Sequence, residues 1–461
     1  MKALKEKLPL ILATAGLLVY LTLIFNNNVW MDEAFTALLV RGSFASMMER
    51  SLADTLPPLY NIWAWTFAKL FGFHTLTLKL SSVIPMIALL YYSAVRVAHL
   101  YNKNTASCFV LTLVCMPHLL SCAVEIRMYA FCLSFVTMAV ISALYLLNLP
   151  SKKDLVLFGI FTLLAGYSHH YGLISLLFVW AALLIYFIRK KEGLKSFIIC
   201  AFITAVLFIP YIIITLYQIK NASAYFSAPS GPSLASFVSS LRFPFVTNIT
   251  PLSALLLLAV ISVMIFGNRK KEGRALTGLY ASVLCLSYLL MLISGRSFFS
   301  GRYLIPSFGA LWLGFSILLF SDRLHLPGKL PEAACVLILL ILVVSGIVDF
   351  AGAFRDEYSG DVKEMLAFFD ENLEKDDGYI IYEDEYQIEW CLKYYEPDLK
   401  KYDPEKMENI RGKIWCFITP KYAWMLDEMP VKAYNKDYKG ELSFDRYRFS
   451  VYLLERQDDR R

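Results

Sequence analysis

Long apolar runs, separated by short polar and basic clusters, occupy most of residues 1–353. A helix needs about 20 mostly apolar residues to cross the hydrocarbon core of a bilayer. The runs that approach this length are residues 8–25, 79–100, 105–123, 128–148, 154–170, 171–188, 196–217, 251–267, 275–294, 302–320 and 331–350. The pattern therefore predicts an α-helical polytopic membrane protein with about eleven transmembrane helices.

The first apolar run follows Lys2, Lys5 and Lys7, as the apolar part of a signal peptide would. The run is long, and three asparagines at 26–28 follow it in place of a small-residue cleavage site. We therefore expect an uncleaved membrane anchor.

Residues 57–72 are apolar but short, begin with two prolines and carry Lys69. Lys and Arg concentrate in the cytoplasmic loops of membrane proteins. If 57–72 does not cross and the N-terminus is cytoplasmic, 17 of the 26 Lys and Arg residues in 1–353 lie on the cytoplasmic side. We therefore expect 57–72 to be an amphipathic helix in the outer interface, within a first outer loop over 26–78.

The tail differs in charge from the apolar part. Residues 1–353 hold 26 Lys and Arg against 12 Asp and Glu, whereas 354–461 hold 18 against 26. In the tail, 361–373 has a helical pattern, and 378–384, 413–419 and 448–455 are typical of strands. The sequence thus predicts a transmembrane domain over 1–353 and a small extracytoplasmic α/β domain over 354–461, most simply a lid or a stabilising cap.

Composition excludes a purely soluble enzyme, because 57% of the residues are hydrophobic, only 18% are charged, and the mean hydropathy is +0.53. The basic residues form short clusters between apolar runs, which indicates membrane lipids as partners and no nucleic acid. Seven of the nine cysteines lie in apolar runs and behave as small hydrophobic residues. Cys391 and Cys416 could form a disulfide if the tail is exported.

The predicted outer loops hold the carboxylates Asp32, Glu33, Glu49, Asp54 and Glu125. Charges at a membrane face are costly and tend to be functional. Glu49 stands beside Arg50 and is best explained as a solvated charge. Asp32 and Glu33 directly follow the first run and precede a helix-like segment, so capping of that helix is the alternative to a catalytic role.

The same side holds the cationic or titratable residues Arg127, His169, His170, Arg242, Arg296 and Arg302. Arginine suits bidentate binding of phosphate, and an acid close to several arginines indicates an acceptor deprotonated near a lipid phosphate. For Arg242 and Arg296 we keep the simpler explanation, contact with lipid headgroups. Adjacent histidines rarely face one way, so we expect helix-end hydrogen bonds from them. No metal site and no cofactor are predicted, although a divalent metal is not excluded.

Six motifs occur in a fixed order: W-M-D-E-A-F-T-A (30–37), D-T-L-P-P-L-Y (54–60), F-G-F-H-T-L (71–76), E-I-R-M-Y-A (125–130), H-H-Y-G (169–172) and G-R-Y-L-I-P (301–306). Over about residues 1–320 this set resembles the GT-C glycosyltransferases, in particular the bacterial protein-mannosyltransferase-like and aminoarabinose-transferase-like branch. The resemblance implies transfer of a sugar, with inversion, from a polyprenyl-phosphate donor. The acceptor would be a hydroxyl of a lipid, a glycan or a protein on the outer face of the cell membrane.

The resemblance also implies roles for individual residues. Asp32 would be the base with Glu33 as its partner; Arg302, Tyr303 and Arg127 would bind the donor phosphate; Asp54, Tyr60, Glu125, His169 and His170 would shape the site. Many relatives carry His in the D-x-H-P-P stretch, where this chain has Leu56. The contribution of that histidine would then come from His169 or be absent.

Two other classes of protein remain open, a lipid or sugar transporter and an inactive scaffold of the same fold. A transporter should place ionisable residues or broken helices near the middle of the membrane. Here the predicted spans are nearly free of charge and the polar groups gather at one face, which favours chemistry on a lipid at the membrane surface. Substitution of Asp32 would distinguish an enzyme from a scaffold.

The distribution of basic residues generates a topological prediction. A reporter that is active only outside the cytoplasm should be active when fused after Arg461 and silent when inserted at Lys191. The reverse result at both positions would contradict the orientation, and with it the assignment of the acidic and arginine motifs to the outer face.

Overall fold

The computed structural model describes residues 2–26, 28–221, 233–294, 300–322, 324, 330–355, 360–381, 386–402, 412–418, 438–446 and 449–456. The chain folds into two compact units. The first consists of Met1–Phe25 and Gly42–Phe354, and the second of Asn26–Arg41 and Arg355–Arg461. The tail thus starts a new unit close to the predicted boundary at 353/354, but a segment of the first outer loop belongs to the same unit as the tail.

The helices in chain order are α1 (Lys2–Leu23), α2 (Met31–Arg41), α3 (Phe44–Ala53), α4 (Leu59–Phe71), α5 (Thr75–Leu100), α6 (Lys103–Cys115), α7 (Leu119–Val124), α8 (Met128–Asn148), α9 (Lys152–Ser168), α10 (His170–Lys190), α11 (Leu194–Leu207), α12 (Ile209–Asn221), α13 (Leu234–Arg242), α14 (Thr250–Phe266), α15 (Lys271–Ser294), α16 (Phe308–Phe320), α17 (Leu330–Arg355), α18 (Gly360–Asn372) and α19 (Tyr386–Tyr395). Short 3-10 segments, Phe243–Phe245 and Gly301–Ser307, lead away from α13 and into α16. Helices cover most of each predicted apolar run, with breaks at 116–118 in the run 105–123 and at Phe208 in the run 196–217.

Within the described ranges, seven helices are long and apolar enough to cross a membrane: α1, α5, α8, α10, α15, α17, and α16 together with its 3-10 lead. Two bent pairs, α11 with α12 at 42° and α13 with α14 at 85°, bring the number to as many as nine if each pair is one span. The remaining predicted runs form α6 with α7, and α9. At 13 and 17 residues, α6 and α9 fall short of the roughly 20 residues that span the bilayer core. The predicted polytopic helical fold is confirmed. By length and composition, seven to nine membrane crossings qualify, against the eleven or so that the sequence predicted.

Helices α8 and α16 form the interior of the first unit. Both are apolar on all sides, as a helix surrounded by other helices must be, and Trp312 of α16 is fully buried. Glycines allow α16 to approach its neighbours closely: a Cβ on Gly309 would overlap Thr137 of α8, and one on Gly314 would overlap the backbone of α15 at Gly273. Close backbone approach at small residues is a common way to pack helices in membranes.

The outer helices turn large apolar side chains outward. Phe202 is 69% exposed, Ile213 64%, Ile265 63% and Val336 67%. Soluble proteins rarely leave contiguous apolar surfaces of this kind to water. The exposed helix faces are therefore covered by lipid, in agreement with a multi-pass membrane protein.

Polar contacts join the helices at one end of the first unit. Lys103 forms an ion pair with Glu6 at 3.5 Å, and the Asn102 side chain donates to the carbonyl of Phe320 at 2.9 Å. Asn268 donates to the carbonyl groups at the end of α16. All these positions lie in or beside loops predicted to be cytoplasmic, so these loops lie at one end of the first unit; the side of the membrane that this end faces stays a prediction.

Helix α4 covers most of the predicted interfacial segment. Its 13 residues extend about 20 Å, which is less than the roughly 30 Å of the bilayer core. Pro58 precedes the helix, and Gly72, at φ 89°, ends it in a conformation that favours glycine. The Trp63 indole donates to the carbonyl of Ser81 at 2.8 Å, whereas Leu70 is 69% exposed. The helix is amphipathic and too short to cross; its position in the outer interface stays a prediction.

The second unit contains a mixed sheet. Its strands are β1 (Gly378–Ile381), β2 (Lys400–Lys401), β3 (Ile414–Ile418), β4 (Tyr438–Arg446) and β5 (Phe449–Arg456), in the order β2-β1-β3-β5-β4. β1 is parallel to β2 and β3, and β5 is antiparallel to β3 and β4. The predicted α/β domain is confirmed: α18, β1, β3 and β5 match the predicted segments, whereas α19, β2 and β4 were not predicted.

The two cysteines of the tail remain reduced in the structure. Cys391 on α19 and Cys416 on β3 are both buried and are not joined to each other, so the disulfide considered from the sequence is not formed. Burial raises the pKa of the Cys416 thiol to about 12. The thiol is therefore neutral at physiological pH and contributes to the core as a small hydrophobic side chain.

Candidate functional site

An ion pair connects two elements at the end of the first unit opposite Asn102. Arg302 Nη2 lies 2.5 Å from Glu125 Oε1, with the side chains 23% and 9% exposed. The guanidinium carbon of Arg302 lies 4.9 Å from the ring centroid of Tyr129. Glu125 directly precedes α8, and Arg302 belongs to the 3-10 segment before α16. The pair thus ties together the starts of the two interior helices with a charge-assisted hydrogen bond and a cation–π contact.

Aromatic side chains surround this ion pair. The ring of His169 lies 5.5 Å from both Tyr129 and Tyr303, and Tyr171 lies 5.7 Å from Tyr303, all between centroids. We call Glu125, Tyr129, His169, Tyr171, Arg302 and Tyr303 the Arg302 cluster. Arg127 is close enough for its charge to act on Tyr129 and His169. The structure therefore brings together Glu125, Arg127, His169, Arg302 and Tyr303, all of which were predicted to contribute to the site.

His169 presents a buried hydrogen-bond donor within the Arg302 cluster. Its Nδ1 accepts the backbone N–H of Tyr171 at 3.1 Å and so caps the start of α10, the helix-end role expected of it. The proton of the neutral ring is then on Nε2, which is buried and has no hydrogen-bond partner among the described residues. Burial, together with the charges of His170 and Arg127, lowers the pKa of His169 well below its usual value. A neutral N–H donor is thus held ready for an acceptor atom.

His170 supports the first outer loop. Its ring nitrogens lie 2.6 Å from the hydroxyl of Tyr211 and 3.0 Å from the carbonyl oxygen of Thr55. Because the carbonyl can only accept, Nε2 donates to it and Nδ1 accepts from the hydroxyl. Gln218 Nε2 donates to the carbonyl of Leu56 at 2.8 Å. The backbone of the D-T-L-P-P stretch is therefore fastened to α10 and α12, and at Leu56 the contact is made through the main chain.

Two further predicted residues also organise this loop. Asp54 ends α3, and its Oδ1 accepts the N–H of Thr55 at 2.7 Å. The hydroxyl of Tyr60 lies 2.6 Å from Ser82 Oγ on α5, and its ring lies 5.6 Å from that of Phe131 on α8. These contacts fix the loop to the helical unit, and a direct role in ligand binding stays a prediction.

The predicted acidic pair lies in the second unit, at the start of α2. Asp32 is half-buried, and Glu33 is 4% exposed. Glu33 Oε2 accepts the backbone N–H of Trp30 at 3.1 Å, which is the backward contact of a helix-capping glutamate. The structure therefore gives Glu33 a helix-stabilising contact, and the catalytic roles of Asp32 and Glu33 stay predictions.

Sequence reasoning missed Lys79, which is only 3% exposed in the second turn of α5. Tyr60 contacts both Ser82 on α5 and Phe131 on α8, and the two helices run in the same direction. Lys79 comes three residues before Ser82, and Met128 comes three residues before Phe131. Because the two helices are parallel, Lys79 lies at about the level of Met128, next to the start of α8. In the sequence, a single lysine near the end of an apolar run is indistinguishable from one that reaches the headgroups.

His118 was missed as well. It interrupts the run 105–123 between α6 and α7, with φ 66° in the left-handed region. Its ring stacks on Phe243 at 4.4 Å, and its backbone N–H donates to Asp349 Oδ1 of α17 at 3.3 Å. The sequence signal was the Pro-His pair within an apolar run, which indicates a break in the helix.

Three further expectations for the predicted outer side concern a metal site and the contacts of Arg242 and Arg296 with lipid headgroups. No three His, Cys, Asp or Glu side chains in the described part of the chain converge in a way that could hold a metal ion. Arg242 is exposed at the end of α13, which suits contact with headgroups. Arg296 lies outside the described residues.

Similar solved structures include ArnT from Cupriavidus metallidurans bound to undecaprenyl phosphate, with 11% sequence identity, a TM-score of 0.60, and coverage of 96% of this chain and 97% of that one. The apo form of the same protein gives 10% identity, a TM-score of 0.59 and the same coverage. The oligosaccharyltransferase AglB from Archaeoglobus fulgidus, in complex with an inhibitory peptide and a dolichol-phosphate, gives 12% identity, a TM-score of 0.51, and coverage of 97% of this chain and 74% of that one.

No protein-family model and no curated protein sequence matches the chain. The structural similarity nevertheless extends over nearly the whole chain, including the tail. The chain therefore shares the fold of ArnT, the GT-C fold that the order of the sequence motifs predicted. At this level of identity the similarity establishes the fold and leaves the roles of individual residues to be tested.

The partly buried ion pair of the Arg302 cluster should matter for stability. Arg302→Ala leaves Glu125 buried without this cation and should lower the free energy of unfolding by about 3–5 kcal/mol. Arg302→Lys keeps a cation beside Glu125 and should cost much less. Thermal unfolding of the purified variants in detergent measures the difference, and equal stability of Arg302→Ala and the unmodified protein would contradict a structural role for the pair.

Proposed function

We propose that the protein is a membrane glycosyltransferase that moves a sugar from a polyprenyl-phosphate donor to an acceptor hydroxyl on the outer face of the cell membrane, with inversion. The acceptor would be a lipid, a glycan or a protein of the cell envelope, and protein glycosylation is one form of this reaction. The GT-C fold and the chemistry of the Arg302 cluster support the proposal.

The observation that carries the proposal is the buried N–H donor of His169 in the Arg302 cluster, where the His169 ring lies 5.5 Å from the ring of Tyr129 and the Arg302 guanidinium lies 4.9 Å from that same ring. Buried polar atoms almost always have a partner, so a donor without one among the described residues points to an acceptor supplied by a ligand. Arg302 adds a cation with several N–H donors in a fixed plane, a geometry that suits phosphate. A neutral donor and a guanidinium group in one cluster match the needs of a phosphate that gains charge as it leaves.

In the proposed reaction, the bond between the anomeric carbon and the phosphate oxygen breaks while the acceptor oxygen attacks from the opposite face. The departing polyprenyl phosphate keeps the electron pair, and Arg302, Tyr303 and Arg127 stabilise its charge together with His169. Phosphate is already a good leaving group, so a general acid is not required. The remaining need is a base for the acceptor proton, and Asp32 is the proposed base.

The structure offers less support for a transporter. The interior helices α8 and α16 carry no Asp, Glu, Lys or Arg, and the charged contacts of the helical unit lie near its two ends. Such ionisable residues inside the membrane mark substrate and ion pathways in transporters, and these two helices contain none. Chemistry at the membrane surface explains the arrangement of charge better.

Substitution of Asp32 tests the proposed base. Asp32→Asn keeps the size and helix-capping ability of the residue but removes its basicity, so sugar transfer should fall about 10²–10⁴-fold while the protein still folds. Glu33→Gln is the matched control, because an amide oxygen can still accept the N–H of Trp30. Lipid mass spectrometry of cells should show polyprenyl-phosphate sugars accumulating with Asp32→Asn and not with Glu33→Gln. Turnover by purified Asp32→Asn at the unmodified rate would remove Asp32 from the mechanism.

Substitution of His169 tests the proposed phosphate site. His169→Asn retains an oxygen that can accept the N–H of Tyr171, but it removes the Nε2 donor. Loss of a hydrogen bond to a charged group is worth about 1.5–3 kcal/mol, so affinity for a synthetic polyprenyl-phosphate sugar should fall roughly ten- to a hundredfold. Arg302→Lys, which lacks the planar fork, should weaken donor binding to a similar degree. Unchanged donor affinity in both folded variants would place the phosphate elsewhere.

A further inference from the structure

The segment that carries Asp32 folds with the tail of the chain. Asn26–Arg41 and Arg355–Arg461 form one compact unit, although more than 300 residues of the helical unit separate them in sequence. Helix α2 packs against α19 in this unit. The contacts between the two helices explain what holds the proposed base in place.

The first contact fixes the chain just before α2. The hydroxyl of Tyr395 accepts the backbone N–H of Val29 at 2.6 Å and donates to the carbonyl of Val29 at 3.2 Å. Burial raises the pKa of Tyr395, so the hydroxyl keeps the proton that it needs to donate. Two hydrogen bonds from one hydroxyl to one residue hold both the position and the direction of the backbone at Val29.

The second contact fixes the first turn of α2. The ring of Phe35 lies 4.5 Å from that of Trp390, between centroids, at an interplanar angle of 45°. Val29 precedes Asp32 by three residues, and Phe35 follows it by three. The proposed base is thus bracketed by two residues that α19 holds.

Helix α19 is itself fastened to the sheet. Ile388 and Leu392 are fully buried, and Glu389 forms ion pairs with Lys393 at 2.5 Å and with Lys401 of β2 at 3.1 Å. The connection therefore runs from the sheet through α19 to the start of α2. An isolated helix of 11 residues is marginal in water, so α2 depends on these contacts for a fixed orientation.

We propose that the C-terminal domain positions the proposed catalytic carboxylate, with Tyr395 and Trp390 as the positioning residues that fix Asp32. This inference rests on the proposed function, because it takes Asp32 as the base. It gives the tail a role in addition to that of a lid or cap: the domain supplies the support on which the acidic helix is built.

The test compares Tyr395→Phe, which keeps the ring and removes the hydroxyl, with Tyr402→Phe, which removes a hydroxyl from the same domain. In Tyr395→Phe, backbone hydrogen exchange around Val29 should be about tenfold faster. The kcat for sugar transfer should fall by about tenfold with the KM for the donor unchanged, because the phosphate site lies on other residues. Tyr402→Phe should change neither quantity.

A combined variant separates positioning from general destabilisation. If Tyr395 acts through Asp32, adding Tyr395→Phe to Asp32→Asn should cause no further loss of kcat. Two results in Tyr395→Phe would overturn the inference: unchanged hydrogen exchange around Val29, or faster exchange with an unchanged kcat. Either result counts against positioning by Tyr395 if Asp32→Asn is inactive, because the proposed base then still stands. If Asp32→Asn itself turns over normally, the proposed function has failed at the base, and that result needs no variant of Tyr395.

Discussion

The ion pair between Arg302 and Glu125 fixes the level at which the two interior helices of the membrane unit begin. Opposite charges in a poorly hydrated region are tolerated only when they are paired with good geometry. Because one partner precedes α8 and the other leads into α16, the pair sets the register between these helices. The aromatic side chains of Tyr129 and Tyr303, and the ring of His169, take their positions from the same helix starts, so the whole cluster depends on this contact.

The cluster combines two kinds of hydrogen-bond donor that differ in their cost of burial. A guanidinium group carries a permanent charge and needs Glu125 beside it. A neutral imidazole can be buried more cheaply, and in a medium of low dielectric its dipole acts strongly on a nearby anion. With both donors in one place, additional negative charge on a ligand can be stabilised without a second buried cation. This division suits a site at the boundary between lipid and water.

The apolar runs were sufficient to predict the long helices of the membrane part, because hydrophobicity over about 20 residues is a local signal. The shorter helices α3 and α13 lie outside the predicted runs. The strands β1, β3 and β5 were equally visible as short β-branched and aromatic runs. The contacts that define the site were not visible, since they join distant positions: Arg302 and Glu125 are 177 residues apart, and Tyr395 and Val29 are 366 apart. Glu33 illustrates the same limit, because only the structure shows its contact with Trp30.

The long separation between Val29 and Tyr395 has a consequence for biosynthesis. The chain emerges from the ribosome N-terminus first, so the partners of α2 are made only after all the membrane helices. Contacts between such distant residues form late in folding. Until α19 exists, Phe35 lacks Trp390 and the acidic helix has no fixed support. The carboxylate proposed to start the reaction is thus placed by a domain that is translated after the membrane helices, and a nascent chain already embedded in the membrane would still lack the support of its proposed base.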